Sequence, residues 1–235
     1  MNDPIILIPG FMCDARAFLP QIAILSKGRD FSVIIPTHAT VEDCATHIIA
    51  TAPQKFILVG HGLGGDVALE ILHRAADRVT RIVLLSTDPL AEAPAIAADR
   101  EARIIAARSG RLTDAFAEDV PFSSLADCPH RQHVFSTLNA MAFDLGADVF
   151  VAQSRALQRR PDQQKTLRRA QLPALILAGA QDRVVGVRRQ ELSAGLMPFA
   201  KFVLIENAGH MATLEQPQAV NDALDAFFSG PLLLR

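Results

Sequence analysis

The segment 56–65, FILVGHGLGG, joins a short apolar run to a glycine-studded turn and then to a helical pattern. Its spacing is that of G-x-S-x-G, the strand-to-helix turn that exposes a nucleophilic serine at its apex, but Gly62 stands where that serine is expected. Gly60 and Gly64 keep the crowded turn free of Cβ atoms. Val67, Ala68, Ile71, Leu72 and Ala75 recur on one helical face behind it. Two further polar residues follow later apolar runs: Asp182 closes Gly179-Ala180-Gln181-Asp182, and His210 closes Glu206-Asn207-Ala208-Gly209-His210. Apex, acid and histidine in that chain order match one arrangement for acyl transfer. An imidazole titrating near neutrality takes a proton from a hydroxyl and returns it to a leaving group, while a carboxylate on its other nitrogen fixes its orientation. Asp88 also follows an apolar run and is the reserve acid.

Acyl transfer develops negative charge on a carbonyl oxygen, so two backbone donors are needed. The amide of Leu63, just past the apex, is one candidate. The amide of Phe11, in the glycine turn Pro9-Gly10-Phe11-Met12-Cys13-Asp14, is the other. Met12, Asp88 and Met211 are expected to line the substrate pocket. Cys13 lies close to this turn, but a buried cysteine is more often inert than nucleophilic. Gly60, Gly62 and Gly65 also satisfy G-x-G-x-x-G, with Asp88 downstream as a ribose acid. Against that dinucleotide reading, the motif falls on the third strand rather than the first, and Asp66 would face a bound pyrophosphate.

These residues need a rigid sheet to hold them. Apolar runs at 5–8, 31–35, 56–59, 81–85, 174–178 and 202–205 read as buried parallel strands, and helical patterns at 16–26, 41–51, 63–76, 187–196 and 217–228 supply the crossovers. The fold class is α/β, a doubly wound and mostly parallel sheet. Residues 88–169 show no strand-like run, only helical segments broken at Gly110, Pro121, Pro129, Gly146 and Pro161. They are expected to form a helical cap over a core made of 1–87 and 170–235. With Phe116, Phe122, Phe135 and Met141 in that cap, the largest apolar cavity is expected to lie between the cap and Phe11, Leu63 and Met211, and to take a largely apolar ligand.

Composition narrows the function. Half of the 235 residues are hydrophobic, enough for a full core, and the formal charge of −2 offers nothing to nucleic acid. The arginine pairs at 159–160, 168–169 and 188–189 are too scattered to form a basic stripe. Three cysteines without C-x-x-C spacing indicate neither a disulfide framework nor a metal site. The absence of Tyr excludes a tyrosine hydroxyl from catalysis. No membrane span or leader is expected, so the protein is read as cytoplasmic, as a monomer or homodimer, with the run Pro231-Leu232-Leu233-Leu234 either a small contact surface or a docked tail. No metal or cofactor is expected.

Taken together, the turn at 9–14, the glycine turn at 60–65, Gly179-Ala180-Gln181-Asp182, and Gly209-His210 followed by Leu214-Glu215-Gln216-Pro217 resemble the α/β-hydrolase superfamily over nearly the whole chain. The resemblance is greatest to small bacterial carboxylesterase-like members, among them those acting on pimeloyl methyl esters. It implies a small-molecule ester or related acyl substrate, with Gly62, Asp182 and His210 at the catalytic positions and Phe11 and Leu63 at the oxyanion hole. Two readings of Gly62 stay open. In one, an ester hydrolase has had its serine replaced and is inactive or strongly attenuated. In the other, a natural member works without acyl-enzyme chemistry, as a ligand-binding protein or through a His–Asp pair acting directly on substrate or water, as a lyase or oxygenase would.

Overall fold

The computed structural model describes residues 3–26 and 28–230; the run 231–234 lies outside them. In chain order the elements are β1 (Ile5–Ile8), α1 (Leu19–Leu25), β2 (Phe31–Val33), α2 (Val41–Thr51), β3 (Phe56–His61), α3 (Leu63–Arg74) and β4 (Val79–Leu85). There follow α4 (Pro94–Arg108), α5 (Leu112–Asp119), α6 (Arg131–Arg159), α7 (Gln164–Arg169), β5 (Ala174–Gly179), α8 (Val187–Leu196), β6 (Ala200–Ile205), α9 (Ala212–Glu215) and α10 (Pro217–Phe228). All six strands pair in parallel in the order β2-β1-β3-β4-β5-β6.

The strands form because both of their faces are covered. β1, β3 and β5 are buried at every residue, as apolar runs without alternation require in a two-sided parallel sheet. Ile6, Ile8 and Leu58 point into one core with Val67, Ala68 and Leu69 of α3, while Ile5, Leu7 and Val59 point into the other with Val220, Leu224 and Phe227 of α10. Strand order reverses between β1 and β3, so their carboxyl ends frame the crevice where such sheets take ligands. The elbow depends on close approach there. A Cβ on Gly64 would lie 2.0 Å from the Ile8 carbonyl oxygen, so α3 meets β1 only through glycine.

Between β4 and β5 the chain runs through α4 to α7 and adds no strand to the sheet. The apolar side chains of this insertion, including Phe116, Leu138, Met141 and Phe150, are continuous with the core on the α10 face. By length and composition α6 could cross a membrane. It is two helices instead, broken at Gly146, where φ is 80° and ψ is 175°.

Candidate active site

Gly62 is the single residue between β3 and α3, with φ 50° and ψ −119°. Glycine enters that region without the Cβ clash other residues meet. The turn is pinned by Gly62 N–H donating to the Leu85 carbonyl at 2.9 Å, while the Gly62 carbonyl accepts from Gly65 and Asp66 in the first turn of α3. A Cβ on Gly62 would have Gly10 Cα and His210 Nε2 as nearest neighbours, both at 3.8 Å. A side chain therefore has room, and it would face the imidazole.

His210 Nδ1 lies 3.2 Å from each carboxylate oxygen of Asp182. Asp182 Oδ1 also accepts from the amides of Val184 at 2.9 Å and Val185 at 3.0 Å. Burial works to raise the Asp182 carboxyl, but the imidazole, with help from the Val185 amide and Ser86, outweighs it and holds the group below its ordinary value. An ionised Asp182 keeps the His210 proton on Nδ1 and leaves Nε2 free toward Gly62. Asp88, the reserve acid, is turned away from this pair and faces Arg160 at 3.6 Å.

The histidine loop is held from several sides. The His210 carbonyl accepts from His61 Nε2 at 2.9 Å and from the Ser86 hydroxyl at 3.1 Å, and its amide donates to the Ser124 carbonyl at 2.9 Å. Glu215, buried, accepts from the amides of Gly209, Met211 and Ala126 at 3.0, 2.8 and 2.6 Å. Burial raises its carboxyl against those three donors. Ser86, with φ 48°, also donates its amide to the side-chain oxygen of Gln190, whose Nε2 lies 3.4 Å from Asp182 Oδ2. Ser86, Gln190 and Glu215 were not singled out from sequence. Only Glu215 carried a signal, through its place in the motif after His210. His61 is no rival base: burial, with His210 adding to it, lowers its imidazole to about 4.

Gly62, Leu63, Phe11, Ser86 and His210 open onto a cavity of about 360 Å³ beneath the helical insertion. No hydrogen bond from the Phe11 or Leu63 amide to a protein acceptor occurs among the described residues, so both are free to serve a ligand. Asp88 lines the cavity, but Met12 and Met211 do not. Both methionines point into the core, 0% and 1% exposed, because the turns that carry them direct backbone, not side chain, at the cavity. Cys13 is buried as well, and its thiol is pushed up to about 12 by burial and then by Asp14, which leaves it no thiolate.

The cavity wall is apolar at Phe11, Leu63, Ile96, Val120, Leu157 and Val185, but the four cap residues expected there are elsewhere. Phe116 and Met141 are consumed in the core, and Phe122 and Phe135 stack edge-to-face on each other outside the cavity. Glu92, Arg100, Arg103, Asp119 and Arg160 share the roof with Ile96, Val120 and Leu157. Arg100 bridges Glu92 at 2.8 Å and Asp119 at 3.0 Å, Arg103 meets Asp119 at 3.1 Å, and Arg160 meets Asp66 at 3.3 Å. A second cavity, of about 470 Å³, lies between α3 and α7, beside Leu72, His73 and Arg169, away from Gly62.

The geometry has counterparts among known proteins. The chain is 26% identical, over 239 aligned positions, to a pimeloyl-[acyl-carrier protein] methyl ester esterase of Aromatoleum aromaticum, covering 93% of this chain and 95% of that protein. It is 25% identical over 189 residues to the biotin biosynthesis bifunctional protein BioHC of Teredinibacter turnerae; that match covers 74% of this chain and spans a third of the relative, 33% of its length. In three dimensions it resembles a thermophilic esterase from Thermogutta terrifontis, with a TM-score of 0.85 at 24% identity, covering 95% of this chain and 88% of that one. A family model described as the alpha/beta hydrolase family matches residues 5–223, and with the elbow, the parallel sheet and the order of Gly62, Asp182 and His210 in agreement, the chain belongs to that family.

Proposed function

We propose that this chain carries the site of a carboxylic-ester hydrolase of the Ser-His-Asp type in which Gly62 occupies the serine position, so that acyl-enzyme turnover is lost or strongly attenuated. The observation that carries the reading is the pair of distances at His210: Nδ1 on Asp182 at 3.2 Å, and Nε2 at 3.8 Å from the point where a Cβ on residue 62 would stand. With serine there, Oγ attacks the ester carbonyl and His210 Nε2 takes its proton. The amides of Phe11 and Leu63 receive the oxyanion. Collapse expels the alcohol, which leaves with the proton from His210, and water then releases the acyl group by the same steps.

Gly62→Ser is the test. It should produce fluorophosphonate labelling and turnover of p-nitrophenyl esters, both abolished by adding His210→Ala, whereas the chain as it stands should sit about 10⁶-fold lower, near background. A Gly62→Ser protein that folds but gains neither labelling nor turnover on any short or medium acyl ester sinks the reading. Direct action of the His210–Asp182 pair, or simple ligand binding, then replaces it. The apolar lining at Phe11, Leu63, Ile96, Val120 and Leu157 supports a largely apolar acyl group of a size that a cavity of about 360 Å³ holds. Restored turnover should accordingly rise from acetyl to butyryl esters, and equal or lower turnover of butyryl would contradict that assignment.

A further inference from the structure

Gln153, on the second half of α6, is fully buried. Its Oε1 accepts from the Met12 amide at 2.7 Å and its Nε2 donates to the Pro36 carbonyl at 2.7 Å. Both ends of the side-chain amide are used, and reversing it would set donor against donor and oxygen against oxygen. One helical turn earlier, Phe150 meets Phe11 edge-to-face, with ring centroids 5.2 Å apart. The turn that α6 grips in this way is under tension. Met12 has φ 52°, a left-handed backbone that a residue with a Cβ keeps only when its surroundings enforce it.

We infer that Gln153 is a positioning residue for the oxyanion site. By accepting from Met12 and, with Phe150, anchoring Phe11, α6 holds the turn in the one arrangement that aims the Phe11 amide into the cavity. The inference rests on the reading of Phe11 as an oxyanion donor. It makes the helical insertion part of the reacting geometry as well as its roof.

The test uses the full chain as it stands, ¹⁵N-labelled and titrated with butyrate, whose carboxylate supplies the oxygen that the two amides would hold. In the parent, the Phe11 and Leu63 amide resonances should both shift. In Gln153→Met, Leu63 should still respond while the Phe11 response is lost, and the Met12 amide should exchange with solvent at least about tenfold faster. In the Gly62→Ser background the same change should lower kcat about 100-fold with KM nearly unchanged. If Gln153→Met does not fold, Gln153→Glu decides. Its carboxyl, protonated or ionised, still accepts from the Met12 amide, so the Phe11 response should persist. A Phe11 response that survives in folded Gln153→Met, or that is lost in folded Gln153→Glu, overturns the inference whatever Gly62→Ser does. A parent in which butyrate moves neither amide removes the oxyanion reading and this inference with it.

Discussion

His61 and His210 stand with ring centroids 4.9 Å apart, yet their hydrogen bonds separate them completely. His61 spends its Nε2 proton on the His210 carbonyl and stays neutral, while His210 binds a carboxylate through Nδ1 and presents Nε2 to Gly62. The orientation of His210 depends on Asp182 being an acceptor on both oxygens. In the Gly62→Ser background, Asp182→Asn should lower kcat about 10⁴-fold, because an amide NH₂ toward Nδ1 favours the wrong tautomer. A loss under about tenfold, measured by single-turnover kinetics, would mean Asp182 only fills space. The serine itself carries a cost. At φ 50° a residue with a Cβ is strained, so Gly62→Ser should lower unfolding free energy by about 1–2 kcal/mol in urea titrations.

At the scale of elements, the site exists because α3 and β1 approach until backbone meets backbone. Adding one methyl at two glycines tests this with the same chemical change in opposite settings. A Cβ at Gly64 would sit 2.0 Å from the Ile8 carbonyl oxygen and 2.6 Å from that of Pro9, atoms that move only if the strand does. At Gly195, inside α8, it would meet nothing within 4 Å. Gly64→Ala should therefore cost roughly 3 kcal/mol or more, or fail to fold, whereas Gly195→Ala should gain about 0.5–1 kcal/mol from helix propensity. Thermal unfolding of the two variants gives the comparison directly. Equal effects would show that the elbow glycine is not held by packing.

At the scale of the whole molecule, two buried groups set opposite responses to pH. Burial raises Asp66 to about 7, against the pull of Arg160. Burial also opposes the charge of Arg160, but Asp66, Asp88 and Glu92 outweigh it and hold the cation protonated. One cation shared among three acids leaves the deepest carboxyl to take up the proton. From 3.8 to about 7 the folded chain thus keeps a proton that the unfolded chain has released, and stability falls as pH rises, by up to roughly 4 kcal/mol. His61 acts in reverse. From about 4 to 6.5 the unfolded chain holds a proton that the folded chain refuses, so stability rises with pH, by up to roughly 3 kcal/mol. The two contributions should nearly cancel in the parent between pH 4.5 and 6.5. Asp66→Asn should expose a rising profile and His61→Asn a falling one, by urea denaturation across that range. Slopes of the same sign in both variants would refute the assignment.

Local pattern carried much of this protein: both-sided apolar runs mark the strands, helical spacing marks α2, α3, α8 and α10, and the glycine turn at 60–65 marks the elbow. Such features depend on neighbours along the chain, so the order of residues is enough to read them. Even so, 31–35 shortened to Phe31–Val33 on an edge strand paired on one side only, and α1 began at Leu19 behind a 3₁₀ turn, Ala15–Phe18. Tertiary structure alone decided between Asp182 and Asp88, since both follow strands and only docking shows which one faces His210. It also decided that Met12 and Met211 turn inward, that ion pairs enter the roof over Gly62 beside Ile96 and Val120, and that Gln153 reaches across 141 residues to Met12. Those outcomes depend on how the helical insertion seats on the sheet, and no short-range periodicity encodes that seating.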